Sequence, residues 1–389
     1  MTAAWQPGQL LYVGFHGTFV PPPLAAWIAA GRVGGVILFK RNIDGPDQLR
    51  RLCADLHACA PAGAPLVIAV DQEGGRVQRL RAPWTEWPPM RRVGEHGDLD
   101  ATAALGAALA RELRDLGIGL DFAPVVDVDT NPQNPVIGDR AFARDPARVV
   151  AHAAALLTAL QGGGVAACAK HFPGHGDTQS DSHHELPRLD HDLDRLREVE
   201  LVPFAAAARA GVASMMTAHV LFPRLDRRRP ATLSPPIMAL LRDELAYDGV
   251  VFSDDLEMKA VADHFSIRDR VIGPLEAGCD ALVDLHNNTG HNPAYGVATR
   301  ADAGVIGLTA LWGERLIVSD LRLGTLVEAT SEDFPSVTIE CGRAGDPAAD
   351  GIALAGLARY AALEAIETRR VSAPRMAILE RPVRVCARP

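Results

Sequence analysis

Lysine is nearly missing from this sequence, occurring only at positions 40, 170 and 259 while arginine fills the other cationic positions. Because a lysine is a compact point charge and an arginine a planar fork, a rare lysine inside a motif hints that an ammonium is wanted there. No basic run stands out and the net charge is -9, which disfavours nucleic acid and anionic membrane as partners and favours a small-molecule substrate. Cys53, Cys59, Cys168, Cys279, Cys341 and Cys386 form no C-x-x-C pair, which fits reduced thiols better than a disulfide scaffold or a Cys-rich zinc site. No apolar run approaches the ~20 residues that span a bilayer. The opening MTAAWQPGQLLYVGF lacks the basic n-region and continuous apolar h-region of a secretion signal. The expectation is a cytoplasmic monomer.

What is present is a chain able to bury a large core: 389 residues, 48% of them hydrophobic. Short apolar runs occur at 10–15, 35–39, 65–70, 120–126, 165–170, 214–219, 249–254 and 280–285, bounded by Gly, Pro or Asp. Stretches with apolar residues every three or four positions lie between them, notably 45–59, 101–117, 145–161 and 233–249, and are expected as helices. Eight strands alternating with helices predict an α/β fold, a TIM-like (β/α)8 barrel. An open doubly wound sheet is the alternative, because periodicity cannot show closure. The barrel is favoured by where the polar residues fall: Asp71, Asp127 and Asp129, Lys170 and His171, His219 and Asp254 follow five successive runs directly. In a parallel barrel those ends share one rim, so distant residues converge on one pocket.

The densest polar stretch is KHFPGHGDTQSDSHHELP, residues 170–187, with His171, His175, His183 and His184 in one short span. It is open to three readings: a metal site, a phosphate cradle or an acid/base loop. Zinc ligands are poorly supported by a Gly-rich loop. A phosphate cradle would place its glycines at a helix start with P-loop spacing, which is absent. DQEGGRVQRL (71–80) joins an acid at a strand end to Arg76 and Arg79, a pairing that suits a sugar or a surface ion pair. In NPVIGDRAF (134–142), Arg140 is either a ligand clamp or an interface cation. VVFSDDLEMKA (250–260) puts Asp254 and Asp255 where a strand emerges; adjacent side chains usually diverge, so one is expected to face the pocket while the other caps a helix.

In this order and spacing, KHFPGHGDTQSDSHHELP, DQEGGRVQRL, NPVIGDRAF, SMMTAHVLFP and VVFSDDLEM resemble the bacterial β-N-acetylhexosaminidases of glycoside hydrolase family 3, over about residues 8–283. The resemblance implies a single barrel acting in the cytoplasm on muropeptide fragments in cell-wall recycling. Its reaction removes terminal N-acetylglucosamine from a 1,6-anhydro-N-acetylmuramic acid unit, without a cofactor. It further implies Asp254 as nucleophile, His183 as acid/base and Asp181 as the partner that orients it. Asp71, Arg79, Arg140, Lys170 and His171 match the positions that hold the sugar.

The residue chemistry agrees with those roles. A retaining glycosidase needs a carboxylate to trap the anomeric carbon and a second group to protonate the leaving oxygen and then activate water. Histidine, with an ordinary pKa of ~6.5, can do both near neutrality. On this reading the dense loop is an acid/base loop. Phosphorolysis at the same site is the closest alternative chemistry, since a neutral or positive histidine would admit an anion where a carboxylate repels it. A non-catalytic sugar-binding barrel is the rival binding class.

After residue 283 the pattern changes. DLHNNTGHNPAYGV (284–297) and FPSVTIECGRAGDP (334–347) resemble the zinc-dependent succinylglutamate desuccinylase and aspartoacylase family, in which His286 would match a zinc ligand and Glu340 the general base. That family's H-x-x-E ligand pair is absent from the chain. Residues 284–389 are therefore expected to be an incomplete deacylase piece following a barrel of residues 1–283, without a bound metal. A zinc-dependent amidohydrolase is the rival enzyme class.

Overall fold

The computed structural model describes residues 7–284 and, beyond them, strands at 295–298, 315–318, 338–340 and 377–380. All eight apolar runs form parallel strands: β1 (Leu11–Gly14), β2 (Gly35–Leu38), β3 (Val67–Val70), β4 (Leu120–Asp121), β5 (Ala166–Phe172), β6 (Ser214–Thr217), β7 (Val250–Asp255) and β8 (Ala281–Asp284). They pair in sequence order, and β8 returns to β1, with Tyr12 opposite Val283, so the sheet is a closed barrel and not an open one. Its interior is packed solid by Ile37, Ala69, Leu120, Phe122, Cys168, Met216, Phe252, Ala281 and Val283, as expected where a barrel's inward side chains form layers. Phe252 meets Tyr12 and Phe122 edge to face at 4.8 and 5.3 Å, a favoured aromatic geometry.

Two departures from the expected elements have local causes. β4 stops at Asp121 although the apolar run continues to 126; the backbone beyond it still bonds to its neighbours, Phe122 N–H to the Val70 carbonyl and Val126 N–H to the Lys170 carbonyl, but Pro124 between them has no N–H for a regular ladder. The helix expected over 233–249 is α-helical only at Pro235–Ala239 and continues as a wider π turn, Leu240–Glu244, before Ala246 takes φ 51° and ends it.

The other helices follow their capping signals. Asp98 accepts the Ala101 N–H at the start of Leu99–Asp115, and Asp145 accepts that of Arg148 at the start of Pro146–Gly162, each satisfying a donor the helix cannot. Their apolar faces, with Leu109, Leu113, Leu156 and Leu160, belong to the large core outside the strands. By contacts the chain divides into two compact units, residues 1–264 with 270–285, and 265–269 with 286–389. The second holds a four-stranded sheet in the order Thr338–Glu340, Tyr295–Ala298, Arg315–Val318, Ala377–Glu380, its first pair antiparallel and the others parallel. His286 and the side chain of Glu340 lie outside the described residues.

Candidate active site

At the strands' C-terminal ends lies a cavity of about 300 Å³ whose lining includes Asp71, Arg79, Arg140, Lys170, His171, His183 and Asp254. Seven of the eight anticipated site residues thus meet in one place, and the eighth, Asp181, hydrogen-bonds to His183.

One side of the cavity is a lattice of paired charges. Lys170 Nζ lies 2.9 Å from Asp71 Oδ1 and 2.6 Å from Glu73 Oε1, Arg79 Nη2 lies 3.1 Å from Asp71 Oδ2, and Arg140 grips Glu73 with Nε and Nη2, both at 2.8 Å. Burial acts to raise the Asp71 carboxyl, but Lys170 and Arg79 outweigh it and hold the group below the usual range. Burial likewise disfavours the Glu73 charge, and Arg140 and Lys170 overcome it. His171 Nδ1 donates to Asp127 Oδ2 at 2.7 Å, while Arg140 Nη2 donates to His171 Nε2 at 3.4 Å. A guanidinium cannot accept, so Nε2 is the ring's acceptor.

Opposite this lattice stands Asp254, near the end of β7. Burial alone would raise its pKa; His219, His171, the Asp255 backbone N–H and His183 together lower it. Burial keeps His219 itself below its ordinary value, so at neutral pH the Asp255 N–H, 2.8 Å from Asp254 Oδ1, carries more of this effect than the His219 charge. The neighbouring Asp255 behaves oppositely: burial, aided by Asp254, Asp284 and Glu257, pushes it up to about 7 despite the Glu257 N–H it accepts. Over the mouth, Asp181 Oδ1 accepts both the backbone N–H of His183 and its ring Nδ1, each at 2.8 Å. Burial tends to raise Asp181, and these two bonds reverse it. With Nδ1 tied down, Nε2 is the nitrogen left for a ligand.

Residues 7–308 match the N-terminal domain of glycosyl hydrolase family 3. The chain is 45% identical to a β-hexosaminidase of Thiobacillus denitrificans over 261 residues, 65% of this chain and 72% of that protein. It is 39% identical to one from Stenotrophomonas maltophilia over 327 residues, 81% and 96% of the two. Among solved structures, NagZ from Neisseria gonorrhoeae in complex with N-trifluoroacetyl-D-glucosamine superposes with a TM-score of 0.66 at 36% identity, covering 71% of this chain and 81% of that one. A family 3 β-N-acetylglucosaminidase from Paenibacillus gives 0.69 at 41%, covering 72% of this chain, which spans about half (54%) of that structure. The chain belongs to glycosyl hydrolase family 3.

As a glycoside hydrolase, the protein has a carbohydrate substrate, and its cavity departs from the sequence reading in three respects. Asp254 and Asp255 both line it, although alternation along a strand predicts that only one would. The cause is a bulge: Phe252 pairs with Ala281 but Asp255 with Val283, so β7 carries one residue more than β8 over that interval, and such an insertion re-aims the side chains around it. β5 has the same device, with Lys170 opposite Met216 and Phe172 opposite Thr217, which lets consecutive Lys170 and His171 both face the cavity. Glu73, which the sequence reading passed over, is the second acid on Lys170; its spacing of two from Asp71 was a usable signal, since such residues share a strand face. Other polar residues that the sequence places near strand ends go elsewhere. Asp129 pairs with Arg91 at 2.6 Å and Arg144 at 3.5 Å, away from the cavity, and Arg76 turns to Asp139 at 3.1 Å. His219 is buried against the Asp255 carbonyl and Thr232. No helix among the described residues is long and apolar enough to cross a membrane.

Proposed function

We propose that the protein is a retaining exo-β-N-acetylglucosaminidase, with Asp254 as nucleophile and His183 as acid/base. The observation that carries this is the opposed pair in one small cavity: a carboxylate kept ionised at the end of β7, and a histidine whose Nδ1 is fixed by Asp181. In the first step Asp254 attacks the anomeric carbon while His183 Nε2–H gives its proton to the departing oxygen; in the second, the same nitrogen takes a proton from water as water displaces Asp254. Asp181 stabilises the imidazolium and keeps Nε2 toward the bond being broken. Asp71, Arg79, Arg140, Lys170 and His171 hold the terminal sugar, their charges already neutralised by one another, so little reorganisation is needed on binding. The β-hexosaminidase activity of the relatives, and the complex of one with N-trifluoroacetyl-D-glucosamine, support N-acetylglucosamine as that sugar. The muropeptide disaccharide N-acetylglucosaminyl-1,6-anhydro-N-acetylmuramic acid, met in the cytoplasm, is the substrate we infer from the family resemblance. The segment from residue 284 is read as an incomplete deacylase-like piece with no part in this chemistry. The test is to follow a chromogenic N-acetyl-β-glucosaminide by NMR and by mass spectrometry of His183→Ala. We expect the β anomer as first product and a single N-acetylhexosamine adduct on Asp254; an α first product sinks the mechanism.

A further inference from the structure

Ser182 lies between the two members of the Asp181–His183 pair, yet it is 2% exposed while the His183 side chain is 62% exposed. Its hydroxyl is 3.1 Å from His175 Nε2, and its carbonyl accepts the Ala260 N–H at 3.1 Å. His175 is itself buried, with Nδ1 2.8 Å from Thr178 Oγ1. The hydrogen-bond directions in this chain can be assigned. Thr178 Oγ1 donates to the His175 carbonyl at 3.1 Å and accepts from Asn134 Nδ2 at 3.2 Å. Its one hydrogen is therefore spent, so it must accept from His175 Nδ1–H. Burial lowers His175 to about 4, so the ring is neutral at working pH and Nε2 is a bare acceptor. The Ser182 hydroxyl donates to it. The chain does not end there: the His175 backbone N–H donates to Asp127 Oδ1 at 2.7 Å, and Asp127 Oδ2 is the atom that orients His171. Gly176 lets the segment lie flat on the backbone of Val128, where any Cβ would collide with the Val128 carbonyl.

We propose that Ser182 and His175 are positioning residues, a buried latch that sets the Asp181–His183 pair at the cavity mouth by tying it to the carboxylate that aligns His171. The proposal rests on His183 being the acid/base. A group that is well held but not itself reacting should matter in proportion to how much proton transfer the reaction needs. A leaving group that departs unaided hardly senses the latch, whereas an alkoxide must have its proton delivered on target. Loss confined to packing would instead lower every rate alike.

The experiment measures kcat/KM, which reports the bond-breaking step, for N-acetyl-β-glucosaminides of dinitrophenol, nitrophenol, phenol and methanol. Ser182→Ala, Thr178→Val and His183→Ala are compared with the wild-type protein after melting curves confirm folding. Ser182→Ala is expected to slow the methyl glycoside about 10–100-fold and the dinitrophenyl glycoside less than about threefold, with Thr178→Val following the same slope. Equal losses across the series, or none, in Ser182→Ala overturn the latch. If that variant melts below assay temperature, Thr178→Val alone decides on the same criterion. His183→Ala separates the two levels: a flat series there sinks the acid/base assignment, whereas a steep one beside a Ser182→Ala series parallel to wild type sinks only the latch.

Discussion

The two sides of the cavity are built to opposite rules. On the side we propose holds the sugar every charge has a partner before any ligand arrives: Lys170 and Glu73 are 3% and 2% exposed and sit 2.6 Å apart. On the other side His183 is 62% exposed and its ring has one hydrogen-bond partner among the described residues, Asp181, with Nε2 uncommitted. The difference follows from what each must do. A binding lattice works best when its dipoles do not move during the reaction, while a proton carrier must keep one nitrogen uncommitted and change charge twice in each turnover. The lattice is therefore costly to break but indifferent to leaving group, and the proton carrier is the reverse.

Four substitutions sharpen or break that contrast, starting from the largest expected effect. Asp254→Asn should lower kcat by roughly four powers of ten or more while inhibition by free N-acetylglucosamine changes little. If Asp255→Asn is the dead variant and Asp254→Asn turns over, the two neighbours exchange roles. Lys170→Met leaves Asp71 and Glu73 facing each other without their shared cation, and removing one partner of a buried pair costs about 3–5 kcal/mol. A melting temperature within about two degrees of wild type would show that the lattice is not what holds β3 to β5. His183→Ala, at an exposed position, should leave the melting temperature unchanged yet cost about a hundredfold on the muropeptide disaccharide we infer as substrate, with small anions such as azide restoring part of the turnover on activated aryl glycosides. Full activity on the disaccharide would move the role elsewhere in the loop.

The smallest effect is one of pH. Asp121 lies fully buried beneath the lattice; its Oδ1 accepts the Gln72 N–H at 2.9 Å and its Oδ2 has no partner among the described residues. Burial is the main cause of its rise from 3.8 to about 7. A carboxyl whose folded pKa is raised binds a proton that the unfolded chain has already released, so its contribution to stability is present below about pH 4 and is lost as pH climbs through about 7. Asp121→Asn keeps the acceptor for Gln72 and cannot ionise. Its melting temperature should fall less than wild type between about pH 5 and pH 8, by a few degrees; parallel curves would mean that Asp121 is ionised in the fold.

Most of this architecture was legible because a barrel translates order along the chain into order around a ring. Eight apolar runs and the polar residues just after them were enough to place Asp71, Lys170, His171 and Asp254 around one opening. What escaped notice depends on registers between strands. Whether Asp255 joins Asp254 is decided by the pairing of β7 with β8, and nothing in VVFSDD alone records that β8 spans the same interval with one residue fewer. Asp129 shows the converse failure: it follows its apolar run closely in sequence, but β4 ends at Asp121, and Arg91 and Arg144, contributed by neighbouring segments, draw Asp129 away. Ser182 was hidden for another reason, being a small polar residue whose importance lies in the histidine seven positions before it.

The packed layer inside the barrel also governs how longer substrates are processed. With Ile37, Phe122, Met216 and Val283 lining the cavity and belonging to the interior layer beneath it, a glycan cannot be threaded through and advanced by one unit while still bound. In the reaction we propose, the terminal sugar enters end first, and once its bond is cut the remainder must depart before water can approach the intermediate by the same route. Each cleavage therefore ends in complete dissociation. The enzyme we propose is distributive by construction, suited to many short chains met in turn and ill suited to travelling along one polymer.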